Sequence, residues 1–431
     1  MPDKKLWEKG IQTDAFIEKF TVGKDRDLDL ELARYDVQGT LAHIAMLESV
    51  GLLEKGELKS LTKELNRILD EVIEAGRFEI EDGVEDVHSQ IELMLTRTLG
   101  DVGKKVHAGR SRNDQVLVDI RLYLRDQIKE IAGLSGRLFH TLIKQSEATK
   151  EVLLPGYTHT QAAMPSSFGM WFGAYAESLV DDLALLESVY HIINRNPLGS
   201  AAGYGSSFPL DRTMTAELLG FEGLNVNSVY AQMGRGKTEQ TLSFAMAGLA
   251  GTLNKLAADV CLYNSQNFQF LKLPDKLTTG SSIMPHKKNP DVFELIRAKT
   301  NALKALPNQI MMATTNLTSG YHRDFQILKE QLFPAIEELK SCLFITEYAA
   351  GQMEVNHNIL DDPKYKLIFS VEAVNELVKQ GVPFRDAYQK VAQQIKDGSF
   401  EPPTELNHTH EGSIGNLGND VLKERFNSIK M

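Results

Sequence analysis

The segment Gly280-Ser281-Ser282-Ile283-Met284-Pro285-His286-Lys287-Lys288-Asn289-Pro290-Asp291 gathers hydroxyls, an amide and two ammonium groups. Asn289 suits a helix cap and Pro290 the first helical position, so this stretch should end at a positive helix terminus. Lysines, an amide and such a terminus together favour a carboxylate. Upstream, Thr278 and Thr279 with the serines read as a small polar loop able to close over a ligand. Composition alone allows a solvated polar linker equally well.

A second cluster, Gly109-Arg110-Ser111-Arg112-Asn113-Asp114-Gln115, precedes the longest helical pattern. Its two guanidinium groups, with Ser111 and Asn113, can hold a carboxylate through bidentate and single hydrogen bonds. The simpler reading is a helix start capped by Ser111 or Asn113. In the third cluster, Gly156-Tyr157-Thr158-His159-Thr160-Gln161, hydroxyls and an amide flank an imidazole between Pro155 and Pro165. That setting suits proton transfer near neutral pH, although a lone histidine in a turn is more often structural. Asp86-Val87-His88 is a weaker candidate of the same type.

Two nucleotide motifs are imitated but not met. Ala231-Gln-Met-Gly-Arg-Gly-Lys-Thr238 approximates a phosphate loop, but it begins with Ala231 and lacks a preceding strand. Gly203-Tyr204-Gly205 lacks the third glycine of a dinucleotide fingerprint. No two histidines stand at i, i+4 beside a carboxylate, and His408 and His410 fall in an irregular tail, so neither a metal nor a cofactor is expected.

The elements that must position these clusters are helices. From Asp114 to about Lys150, Leu124, Ile128, Ile131, Leu134, Leu138 and Leu142 recur at spacings of three and four. Such a helix would be roughly 50 Å long at about 1.5 Å per residue. Further long helices are expected from Ser166 to about Asn194, Thr238 to Phe268, Pro290 to about Ala305 and Ile327 to Glu354. The third carries a stripe of small residues, Ala245, Ala247, Gly248, Ala250 and Gly251, that permits close helix approach. So many long apolar faces exceed what a compact monomer hides, which predicts an all-α subunit whose long helices form a bundle shared between subunits. Residues 1–107 read as an amino-terminal helical domain, with helices over 31–52 and 57–76. Residues 108–354 read as the central long-helix domain, and 355–431 as a small carboxy-terminal domain with a helical pair, Val371–Gln380 and Arg385–Lys396.

Taken together, the three clusters resemble the fumarase and aspartase superfamily, whose signature is the Gly-Ser-Ser-x-Met-Pro loop at 280–285. Within it the resemblance is to the argininosuccinate lyase family, through Gly-Arg-Ser-Arg-Asn-Asp-Gln at 109–115, Thr-His-Thr-Gln at 158–161 and Lys-Lys-Asn-Pro-Asp at 287–291. It extends from Leu6-Trp7, through Asp36-Val37-Gln38-Gly39, to Gly381-Val382-Pro383-Phe384-Arg385. The resemblance implies a three-domain all-α subunit in a homotetramer, with each active site built from three subunits. It also implies reversible β-elimination of argininosuccinate to arginine and fumarate. By the same resemblance Ser281 is the base, and Lys287 and Asn289 stabilise the carboxylate that gathers charge. His159 is the acid for the leaving nitrogen, oriented by Glu294. Ser111, Arg112, Asn113 and Thr158 take the succinyl carboxylates. Tyr321, Gln326 and Lys329 hold the arginine part, Arg235 aligns with a family arginine, and Asp86 joins the substrate-binding set.

There are departures. His286 replaces a usual Gln, Glu8-Lys9-Gly10 replaces a Gly-Gly-Arg-Phe run, and no serine stands near Asp25, although Asp29 keeps its spacing to Asp36. Tyr230, Gly236 and Lys237 replace acidic or polar residues, and Arg323 stands where a Lys is common. These changes touch the amine end, so a sister lyase acting on another N-substituted aspartate, such as adenylosuccinate, is the second reading. A structural protein descended from the enzyme is the third; retention of Ser281, His159, Lys287, Asn289 and Glu294 argues against it.

Composition bounds the partners. Forty-seven basic against fifty-eight acidic side chains give a net charge of −11 over 431 residues, which argues against nucleic acid or an anionic membrane. Two cysteines, Cys261 and Cys342, are too few for a disulfide framework, and the amino terminus lacks an apolar run, so a cytoplasmic enzyme of small molecules is expected.

Overall fold

A computed structural model describes residues 15–403 and 405–430; Leu6-Trp7 and Glu8-Lys9-Gly10 lie outside the described residues. The fold is all-α, with strands confined to short two-stranded antiparallel pairs among the described residues. The longest helix, Arg112–Ala148, starts on a capping box: the Ser111 hydroxyl accepts from the Asn113 N–H at 3.2 Å, and the Asp114 carboxylate accepts from the Ser111 N–H at 2.8 Å. Of the two caps weighed from sequence, Ser111 is the one used.

The apolar stripe of this helix is buried against Phe168–Ile193 on one side and Ile327–Ala350 on another. Lys237–Tyr263 packs on Phe168–Ile193 and on Asp291–Leu303. Its small-residue stripe does permit close approach: a Cβ added at Gly248 would stand 3.1 Å from Asp182 Oδ1 of the neighbouring helix. Buried polar bonds fix the register of these two helices, since Trp171 Nε1 and the Tyr175 hydroxyl both donate to Asp259, at 3.0 and 2.6 Å.

Beside this principal core lie two smaller ones. The amino-terminal helices Ala33–Ser49, Lys55–Arg67 and Val87–Leu99 enclose Val37, Ile44, Leu47, Leu61, Leu65 and Ile91. The pair Ser370–Lys379 and Phe384–Asp397 encloses Val374, Ala387, Val391 and Phe400. No helix among the described residues is long and apolar enough to cross a membrane.

Three local expectations are corrected. Leu153–Thr158 and Gln161–Ser167 form an antiparallel hairpin, so the helix expected from Ser166 begins only at Phe168. The two prolines and Gly156 masked the alternation that marks a strand. Next, the helix after the serine loop is Asp291–Leu303, with Pro290 rather than Asn289 at its cap; Asn289 instead pairs in a two-residue strand. Finally, two helices stop short of their patterns: the one expected to reach Phe268 ends at Tyr263, and the one from Ile327 ends at Ala350 rather than Glu354.

Candidate active site

The start of the longest helix is where the fold concentrates charge. Arg112 projects there into a cavity of about 180 Å³, also lined by Asp86, Asn113, Arg235, Tyr321, Gln326 and Lys329. Seven sequence-expected binding residues, from four separated segments, therefore share one cavity. Ser111, the cap of the helix that carries Arg112 and Asn113, is not among the residues lining the cavity. Asp25, Asp29, Glu85, His88 and Arg323 complete its polar wall.

Each charged group in this wall has an internal partner. Arg112 donates to Glu85 at 2.9 Å and to the Ser89 hydroxyl at 2.7 Å, and stands 3.4 Å from Asp86. Asp86 caps Val87–Leu99 by accepting from the Ser89 N–H at 2.8 Å. Lys329 is buried between Asp29 and Asp25, the latter at 2.6 Å. Arg235 is buried and donates to Glu239 at 3.2 Å, while Gln326 donates to the carbonyls of Thr21 and Val22 at 3.0 and 2.9 Å. The other arginine of the Gly-Arg-Ser-Arg cluster goes elsewhere: Arg110 is buried and donates to the Thr40 hydroxyl at 2.9 Å. The two guanidinium groups thus do not share a site.

Behind the cavity wall, His88 Nδ1 lies 2.9 Å from Asp36 and 3.4 Å from Asp119, all three buried. Burial by itself would lower the His88 pKa, but the charges of Asp36, Asp86 and Asp119 overcome it and raise it to about 9. Burial, with Asp36 nearby, pushes the Asp119 carboxyl well above the usual carboxylate range. Among the described residues this trio is the one His/carboxylate group with ligand atoms close enough for a metal ion. A hydrogen bond joins His88 to Asp36, Arg110 adds its charge nearby, and Asp119 stands 3.4 Å from the imidazole, so the trio links three helices.

The expected catalytic residues lie outside this cavity within one chain. Thr279–Gly280 pairs with Lys288–Asn289, so Ser281 to Lys287 form the tip of a small hairpin. Ser281 Oγ accepts from the backbone N–H groups of Met284 and Ile283, at 3.1 and 3.4 Å. Amide donors aimed at that oxygen favour its anionic form. Lys287 is exposed on the loop, Asn289 is half-buried and donates to Thr279 at 3.4 Å, and Glu294 is exposed one turn into the next helix. His159 and Thr160 form the exposed turn of the long hairpin with φ of 51° and 61°, just after Thr158. Positive φ at both central residues is the ordinary geometry of a two-residue hairpin turn, and it is strained at a β-branched residue such as Thr160. No hydrogen bond within the chain joins His159 to Glu294 among the described residues.

The phosphate-loop imitation dissolves in three dimensions. The Thr238 hydroxyl donates to the Gly234 carbonyl at 2.9 Å, and Lys237 lies over the Tyr230 ring at 5.7 Å.

The model of the lyase family matches residues 8–303. The argininosuccinate lyase of Bacteroides thetaiotaomicron is 64% identical over 426 residues, covering 99% of this chain and 95% of that protein. That of Thermotoga neapolitana is 41% identical, covering 91% of this chain and 98% of its own. The chain belongs to the argininosuccinate lyase family of the fumarase/aspartase superfamily. Solved structures bear out the fold of this family at low identity. An EDDS lyase variant with bound fumarate superposes with a TM-score of 0.78 at 22% identity, covering 97% of this chain and 90% of that one. A class II fumarase from Schistosoma mansoni gives 0.70 at 16%, covering 89% and 91%.

For an argininosuccinate lyase family member, the acidic side of the cavity was the hardest part to read from sequence. Asp25 and Glu85 carried no motif, although Glu85 closes the acidic turn before Asp86 and Asp29 kept its spacing to Asp36. His286, the departure in the signature loop, lines a separate groove with Asp275 and Lys288.

Proposed function

We propose that this protein is a carbon–nitrogen lyase that cleaves argininosuccinate reversibly to L-arginine and fumarate. The observation that carries the reading is identity of 60–64% over nearly the whole chain to several proteins named argininosuccinate lyase. The site supports it, because a cavity lined by fixed cations, carboxylates and amides suits a substrate that carries charges of both signs.

In this reaction a base removes a proton from the carbon beside a succinyl carboxylate. The electron pair is held as an aci-carboxylate, and the neighbouring carbon–nitrogen bond then breaks as the nitrogen gains a proton. Ser281 is the base, its oxygen already receiving two amide N–H groups. Lys287 and Asn289 hold the carboxylate that gathers charge, and His159, oriented by Glu294, protonates the leaving nitrogen. Ser111, Arg112, Asn113 and Thr158 bind the succinyl carboxylates with Asp86 behind Arg112, and Tyr321, Gln326, Lys329 and Arg235 enclose the arginine part.

These residues are split between a cavity and two exposed turns, so a complete site needs turns donated by other subunits. Apolar side chains left exposed on the long helices, Leu185, Ile192, Phe244 and Phe344, supply a surface for that association. The working form is a homotetramer in a reducing cytoplasm, with Cys261 and Cys342 as free thiols. Sedimentation at micromolar protein is expected to show the tetramer; a stable, fully active monomer excludes shared sites.

Purified protein given argininosuccinate is expected to release fumarate, followed by its ultraviolet absorbance. Fumarate from adenylosuccinate and none from argininosuccinate would overturn the reading in favour of the sister lyase, and none from either would leave the structural descendant.

A further inference from the structure

The turn that carries His159 has few contacts of its own within one chain. From Thr158 to Ala162 every residue is exposed, and Tyr157, two residues before His159, is the first half-buried one back along its strand. The ladder is irregular there: Gly156 faces Met164 and Tyr157 faces Ala162, so Ala163 is an extra residue on the return strand. A bulge of this kind re-aims the end of a hairpin and is common beside active sites. At Gly156 the strands also close in, since a Cβ there would stand 3.0 Å from the Met164 carbonyl oxygen.

The brace for that end comes from about 200 residues further along the chain. Leu153–Thr158 packs against Ile359–Asp361, and Gln161–Ser167 against Pro363–Phe369. The Tyr157 ring stands edge-on to Phe268 at 5.7 Å, and Phe270 stands edge-on to Tyr365 at 6.1 Å. Between the two tyrosines the hydroxyl groups meet at 3.2 Å. Tyr365 is buried and its segment is pinned: the Asp362 carboxylate accepts from the Lys364 N–H at 3.0 Å, and the Lys364 ammonium lies 4.8 Å from the Tyr365 ring centre. A buried tyrosine needs a partner for its hydroxyl, so the bridge has its fixed end at Tyr365 and its other end beside the turn.

We propose that Tyr365 is a positioning residue for proton transfer: through the Tyr157 hydroxyl it sets the direction in which the hairpin presents His159 to the leaving nitrogen. Neither tyrosine lines the cavity at the start of the longest helix, so the bridge acts on the acid and not on substrate binding there. A catalytic group displaced by about 1 Å can cost about a hundredfold in rate, so a bond two residues away has leverage beyond its own modest contribution to stability. This role presupposes the lyase reading, in which His159 protonates the nitrogen.

Tyr157→Phe, Tyr365→Phe and the double variant keep the rings and remove only the bridge. With argininosuccinate, each single variant is expected to lower kcat about tenfold with KM within about threefold, the pattern of an interaction used in the transition state. The double variant should fall less than about twofold below either single one, because both remove the same bond. The deciding arm is the His159→Ala background. That variant should itself lose about a hundredfold or more in kcat, and adding Tyr365→Phe should then cost less than about twofold, since nothing is left to position. A bridge that merely steadies the fold would act alike in both backgrounds. Equal loss in both, kcat within about twofold of wild type in both single variants, or near-normal turnover by His159→Ala overturns the proposal and leaves the lyase reading standing. Absence of fumarate release by the wild type removes that reading itself. Either tyrosine suffices for the test, so poor folding of one variant leaves the other to decide.

Discussion

Ser281→Ala is expected to lose about three orders of magnitude in kcat while still binding argininosuccinate, the scale of removing a positioned general base. The hydroxyl sits at the tip of the hairpin closed by Thr279–Gly280 and Lys288–Asn289, where its oxygen receives two amide N–H groups. An ordinary serine is far too weak an acid to act as a base, so the loop must stabilise its anion, and Lys287 lies on the same tip. Alanine removes the oxygen without touching the cavity that holds Arg112, Asn113 and Lys329. Turnover followed as fumarate absorbance, with the dissociation constant from calorimetry, separates the two effects. Turnover within tenfold of wild type removes Ser281 as base; loss of binding in step with turnover makes it a binding residue instead.

The second large effect is on stability. His88→Ala is expected to destabilise the protein by about 3–5 kcal/mol, the usual result of stripping one partner from a buried ion pair. His88 on Val87–Leu99 meets Asp36 on Ala33–Ser49 and Asp119 on Arg112–Ala148, and alanine would leave both carboxyls buried without it. The effect depends on pH in a defined direction. The folded-state pKa of about 9 lies above the unfolded value of about 6.5, so the stabilisation is complete below the unfolded value and is lost as pH rises through about 9. Urea midpoints at one fixed protein concentration should therefore fall between pH 7 and pH 10 in the wild type, and His88→Ala should lack that part of the slope. A variant within about 1 kcal/mol of wild type, or one with the same slope, contradicts this role for His88.

Two kinds of feature differ in how far they were legible. Ser111 as a cap was readable because it needs only residues within one turn, and the stripe from Leu124 to Leu142 because helical period is a property of consecutive residues. The expected cap at Asn289 was wrong for a related reason: Thr279, ten residues earlier, draws it into a strand pair, and a cap motif carries no information about that partner. Around His159 the hairpin was hidden because Pro155, Gly156 and Pro165 break the alternation that would announce a strand. Arg110 and Arg112 looked equivalent, yet Thr40 takes one into the interior and Glu85 holds the other at the cavity.

By itself, the sequence determined an acidic, helical chain with three polar clusters of the right chemistry and order. Periodicity, capping and motif spacing are local, and they survive without knowledge of packing. Only the tertiary structure decided which charges meet. Lys329 finds Asp29 across some 300 residues, and His88 finds Asp36 and Asp119 on two other helices. The physical reason is that a buried charge must be paired where the fold places it, and that place is set by the packing of whole helices rather than by the residues beside it.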